Sequence, residues 1–228
     1  MDSKKAAWNT RQNELREILL RPDRQAEAIR LCLDQHAMVH SSAMAGSNAL
    51  TFEDEVWDGL NDFAFRTMPT AQDETIAWNL WHITRIEDIT MNILVAGATQ
   101  VINAKPWLKR MNVTACDTGN AMSDEEIVAF SRAIDRQALR DYRIAVGQKT
   151  RAIIGGLAAP DLKRKMEPDR LQRILDEGAV LNEEGARWLI DFWGRKNVAG
   201  LLLMPATRHQ LVHLNESARL KKALAKIS

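Results

Sequence analysis

A chain of 228 residues with 31 Lys plus Arg against 30 Asp plus Glu, a formal net charge of +1, offers no broad electrostatic case for binding DNA, RNA or an anionic membrane. Apolar residues make up 46% and charged residues 27%, the balance of a globular protein long enough to bury a substantial core. The start Met1-Asp2-Ser3-Lys4-Lys5 is polar where a leader would be apolar, and no run of 18 apolar residues occurs, so the expected location is cytoplasmic. Cys32 and Cys116 are isolated and lack CxxC spacing, which reads as free thiols in a reducing compartment.

Helical periodicity dominates the chain. Residues 10–20 read as a first amphipathic helix broken near Pro22, which sits well in the first turn of the next helix because its missing N–H costs nothing there. That second helix is expected to run to about Ala45, with Ile29, Leu33, His36, His40 and Ala43 facing inward and Gly46 ending it. Residues 51–70 suggest a short helix stopped by Pro69. The next begins near Asp73 and ends before Gly97, and its Trp78, His82, Ile86, Ile89 and Ile93 recur at steps of four and three on one face.

After a connection containing Pro106 and Gly119, Ser123 to Glu126 forms a capping box, with Met122 and Ile127 as its hydrophobic staple. The helix it opens is expected to reach Gly155-Gly156. Residues 157–187, with Pro160, Pro168, Gly178 and Gly185, read as an insertion or long crossover holding a short helix around Leu171 to Leu175. A last long helix starts between Arg187 and Val198 and ends near Leu220. Val198, Leu202, Pro205, His209, His213, Glu216 and Leu220 face inward, and Pro205 should kink or restart it. No strand-like alternation exceeds a few residues. The expected architecture is all-α, a four-helix bundle with one long crossover and extra short helices, forming a single domain over 1–228 with its core at roughly 25–220.

All five histidines, His36, His40, His82, His209 and His213, fall on stripes otherwise assigned to the core. His36/His40 and His209/His213 have the i,i+4 spacing that stacks two imidazoles on one helical face, near enough to share a cation. A buried neutral imidazole needs partners for a donor and an acceptor, and a metal ion satisfies one nitrogen while leaving the other N–H for an acceptor. One histidine from the 73–96 helix and two from the last would form a tripod with room for water or substrate. Packed or hydrogen-bonded core histidines are the competing reading. His209-Gln210-Leu211-Val212-His213 lacks the glutamate of HExxH, so a zinc protease of that type is excluded. His36 and His40 could supply a fourth ligand, a base behind the ligands, or packing. Glu216 lies one turn beyond His213 as a weak candidate for a base or a ligand-orienting group, and otherwise reads as an exposed carboxylate; Glu87 and Asp88 read as solvated charges.

The stretch Ile76-Ala77-Trp78-Asn79-Leu80-Trp81-His82-Ile83, followed by Thr84-Arg85-Ile86-Glu87-Asp88, together with His209-Gln210-Leu211-Val212-His213, resembles the DinB/YfiT-like superfamily of metal-binding four-helix bundles. The resemblance covers roughly residues 25–220. It implies His82, His209 and His213 as metal ligands, with Zn or Ni as the first expectation and Fe as the alternative. The segment before Pro22, the 97–122 connection and the 157–187 insertion look longer than a minimal bundle of this kind.

The family includes transferases and isomerases using low-molecular-weight thiols, iron enzymes, and stress-linked members without an assigned reaction. The first expectation is therefore a metal-dependent S-transferase or hydrolase acting on a small-molecule substrate with a small thiol. The alternatives are iron-dependent oxygen chemistry at the same site, or a non-catalytic stress-linked bundle. A homodimer is implied by the resemblance alone. Trp8, Trp57, Trp78, Trp81, Trp107, Trp188 and Trp193 fit core or interface equally well.

Overall fold

Helices begin where a short polar side chain can accept the first free amides. In the computed structural model of the protein, which describes residues 2–226, Thr51, Asn61, Thr75, Ser123, Asp135 and Asn197 each accept a hydrogen bond from the amide three residues on. Thr51/Asp54 and Ser123/Glu126 complete reciprocal capping boxes. The helices that frame the site are α1 (Asp2–Ile18), α2 (Gln25–Met38), α3 (Ile76–Asp88, continuing as a π-helix over Ile89–Ala96), α4 (Arg136–Gly155), α5 (Val198–Leu203) and α6 (His209–Leu224). A π-helical segment, Met204–Arg208, joins α5 to α6. Among the described residues there is no strand, only an isolated antiparallel bridge between Lys165 and Asn197. The fold is all-α.

α3 lies at the centre, packed against α4 and α6, and every residue from Ile76 to Asp88 is buried. Two apolar clusters flank it. One gathers Trp57, Trp78, Trp81, Tyr142 and Leu211; the other gathers Leu15, Leu31, Ile89, Leu94, Trp193 and Leu202. Each such side chain contributes about 1.5–3 kcal/mol by leaving water. A helix buried on all sides must pair every polar group it carries. Asp88 does so by accepting from Arg85 Nη1 at 2.9 Å and Tyr142 Oη at 2.6 Å, and by receiving the amides of Val101 and Ile102 at 2.8 and 3.0 Å. It thereby caps the short helix Val101–Ala104 from inside the core.

Several expected boundaries move. α1 starts well before residue 10 and ends at Ile18. α2 ends at Met38, and Ser42–Ala45 forms a separate turn closed by Gly46 at φ 63°. His40 therefore sits in a bend, and Ala43 is exposed where it was expected inside. Residues 51–70 hold two short helices, Phe52–Trp57 and Asp62–Arg66. The helix opened by Ser123 stops at Ala133, because Asp135 caps α4 afresh. The 157–187 stretch holds Ala159–Lys163 and Pro168–Asp176, and Glu184–Gly194 is a helix distinct from α5. Glu87 and Asp88 are wholly buried and not solvated. Six of the seven tryptophans are buried, and Trp188 is the exposed one.

Candidate metal centre

The π-helical segment sets the aim of the last two histidines. Pro205 lacks an amide, and the ladder around it is rebuilt by side chains. Thr207 Oγ1 donates to the Leu202 carbonyl at 2.8 Å, and Gln210 Nε2 donates to the Pro205 carbonyl at 3.3 Å. Gln210 Nε2 also donates to the Ile83 carbonyl at 2.8 Å, pinning α6 to α3 one residue beyond His209 and His82 respectively.

This brings His82, His209 and His213 together. One ligand atom from each lies within 4.8 Å of the others. The ring centroids are 4.8–5.0 Å apart and each pair of rings is steeply inclined, between 66° and 75°. His36 and His40 stand apart from this tripod, in a second buried group with Glu87.

Hydrogen bonds fix which nitrogen is free in two of the three rings. The Thr118 carbonyl lies 2.8 Å from His82 Nδ1 and can only accept, so Nδ1 carries the proton and Nε2 keeps its lone pair. His213 Nδ1–H donates to Asn79 Oδ1 at 2.8 Å and to Glu216 Oε2 at 3.2 Å, which leaves its Nε2 free as well. His209 Nδ1 is buried with no hydrogen-bond partner among the described residues. Burial, followed by the neighbouring His213, pushes the His82 pKa down to about 3. Burial with His82 and His213 beside it holds His209 well below the ordinary range. Two imidazoles kept neutral, one unpartnered nitrogen and two lone pairs fixed by tautomer fit a divalent cation. The group could hold a metal ion.

The tripod is backed on one side by Trp78, whose indole stacks on His82 with centroids 4.5 Å apart and planes 7° from parallel. Gly119, at φ 77°, lies against that indole, and a Cβ there would come within 2.7 Å of Trp78 Nε1. On the other side the site is partly open, since His213 keeps 17% of its side chain exposed. Glu216 is neither an idle surface carboxylate nor fully buried. The hydrogen bond from His213 lowers its pKa, while burial and the charge of Glu216 raise that of Glu74. A cleft of about 820 Å³ reaches Asp117, Met122, Phe130 and Lys109 but none of the histidines.

Sequence reasoning named the three imidazoles and missed the groups that orient them. Asn79 stands three residues before His82, a spacing that places it on the same face and could have flagged it. Thr118 acts through its backbone carbonyl, which leaves no trace in residue type.

An all-α fold with a histidine tripod between a central helix and the last helix defines the class of protein. The profile of the DinB superfamily matches residues 54–216, and the chain belongs to that superfamily. The fold is also similar to the crystal structure of a conserved protein from Enterococcus faecalis, at 15% identity and a TM-score of 0.56, covering 85% of this chain and 96% of that one. No curated protein matches the chain.

Proposed function

We propose that the protein is a metal-dependent enzyme, an S-transferase or hydrolase acting on a small molecule with a small thiol or water, with His82, His209 and His213 holding Zn2+ or Ni2+. The observation that carries this reading is the fixed tautomer of His82 and His213, whose Nδ1–H groups are engaged by Thr118, Asn79 and Glu216 while both Nε2 lone pairs stay available. A divalent ion there would lower the pKa of a thiol or water toward neutrality.

The chain's own residues do the positioning. Thr118 and Asn79 hold two rings in the binding tautomer, and Trp78 shields one face of His82 from water. Glu216 steadies His213, and Glu74 beside it retains a proton to higher pH than an ordinary glutamate, a proton store next to the site. Three protein ligands leave a coordination position for substrate, as in catalytic and not closed structural centres.

The test is elemental analysis of the tag-free protein beside His82→Ala and His213→Ala variants that remain folded by circular dichroism, followed by a panel of thiols against electrophilic substrates. Zinc or nickel near one equivalent at the tripod, lost in both variants, together with thiol-dependent turnover, is the expected result. Iron at the same ligands would redirect the reading to oxygen chemistry, and metal without turnover to a binding protein. Loss of no metal in either variant would overturn the assignment.

A further inference from the structure

The second histidine pair is independent of the tripod. His36 lies in the last turn of α2, and His40 in the bend after it, with ring centroids 4.4 Å apart. His36 and His40 precede the segment matched by the superfamily profile. Glu87, on α3, presents one carboxylate oxygen to each ring: Oε1 is 2.9 Å from His36 Nε2 and Oε2 is 2.8 Å from His40 Nε2. All three side chains are 0–1% exposed. One donor atom from each of the three residues lies within 4.8 Å of the others, in a group closed off from solvent.

We propose that His36, His40 and Glu87 form a second, structural site for a divalent cation that clamps α2 to α3. Two imidazoles and a carboxylate that offers both of its oxygens supply four donor atoms, enough to close a zinc site with no position left for substrate, and the enclosure leaves substrate no way in. The ring nitrogens are poorly satisfied when the site is empty. Without a cation, both Nε2 atoms must carry protons to donate to Glu87, and both Nδ1 atoms become buried acceptors. Neither has a hydrogen-bond partner among the described residues.

With a cation on Nε2 the protons move to Nδ1, where His36 has no hydrogen-bond partner among the described residues and His40 has a carboxylate nearby. His40 Nδ1 lies 3.9 Å from Glu53 Oε2, an acceptor already fixed by Arg143 Nη2 at 2.8 Å and, through its other oxygen, by Trp57 Nε1 at 2.9 Å. At that distance the two groups are not hydrogen-bonded, and a ring shift of about 1 Å would make Glu53 the carboxylate support usual behind a ligating histidine. The α4 backbone makes room for it at Gly147, where a Cβ would come within 2.8 Å of His40 Nδ1.

The experiment titrates Zn2+ into chelator-treated full-length protein labelled with 15N-histidine, reading ring tautomers by long-range 1H–15N correlation and bound zinc by elemental analysis. Zinc should switch His36 and His40 from Nε2–H to Nδ1–H in the wild-type chain. A His82→Ala/His213→Ala protein should keep one equivalent, and adding Glu87→Gln, which preserves the side-chain shape, should remove it. His36 and His40 remaining Nε2–H at zinc saturation would overturn the proposal. So would a folded His82→Ala/His213→Ala protein that retains no zinc. The wild-type spectra need no substitution to be interpretable, and the resonances of His82, His209 and His213 report the tripod separately, so either site can fail without the other.

Discussion

Trp78 lies flat on His82, and Gly119 lies against the outer edge of Trp78, so one loop glycine governs how closely the wall of the tripod can pack. Gly119→Ala meets two penalties, a backbone at φ 77° that L-residues rarely adopt and a Cβ within 2.7 Å of the indole. The expected loss is about 1–3 kcal/mol of stability. It should be accompanied by weaker zinc binding, because Thr118, the acceptor for His82, is the preceding residue. Urea unfolding and a chelator competition read the two effects, and an unchanged protein in both would contradict this account of the loop.

Asn79→Ala and Glu216→Gln should leave the fold intact and reduce zinc affinity roughly 10–100-fold each, the usual effect of removing a group that orients a ligating histidine. Both act on the same nitrogen of His213, so the double variant should lose less than the product of the two. Competition with a fluorescent chelator measures all three. Affinities equal to wild type would show that His213 needs no orienting partner.

Arg85 is fully buried and shares Asp88 with Tyr142. Asp88→Ala leaves that guanidinium without its counter-charge and uncaps Val101–Ala104, so the expected destabilisation is about 3–5 kcal/mol. Tyr142→Phe removes only a hydroxyl and should cost about 1–3 kcal/mol. Equilibrium urea unfolding ranks them; the reverse order would mean that the charge pair contributes less than the hydroxyl.

In metal-free protein, burial pushes His82 down to about 3 and His36 down to about 4, against an ordinary 6.5. Above pH 6.5 both folded and unfolded chains hold these rings neutral. As pH falls below 6.5 the unfolded chain takes up protons that the fold refuses, so stability declines toward the folded values. Glu87 adds to this only below about pH 4.5, its ordinary value: burial opposes its ionisation, but His40 and His36 hold it low. The urea midpoint of chelator-treated protein should therefore drop between pH 6.5 and 4.5. A flat midpoint across that interval would be inconsistent with buried neutral histidines.

The parts of the site legible in the sequence are those written in side-chain type and spacing. Five histidines on apolar stripes, a capping box at Ser123 and the disturbance at Pro205 all have local signatures, and the structure places the last two where the pattern put them. Glu87 and Asp88 were misread because a charged pair on a helix usually marks the solvated face, whereas α3 has no solvated face. Three of its polar residues are paired across elements: Glu87 with His36 of α2 and His40 just after it, Asp88 with Tyr142 of α4, Thr84 with Arg143. Such pairings span 47 to 59 residues of sequence and have no local spacing to reveal them. The break after Met38 was hidden for the same reason, since His40 leaves the helix to meet partners on α3.

The π-helical segment Met204–Arg208 carries a widened turn that an uninterrupted α-helix would not contain. Each α-helical residue advances the chain by about 100° of rotation. Wound as an uninterrupted α-helix, the same residues would carry His209 and His213 round by roughly that angle and away from His82, so the wide turn is what aims them. The ligand set of such a centre therefore depends on how one turn is wound as much as on which residues are present, and two histidines can be idle or poised without either being exchanged.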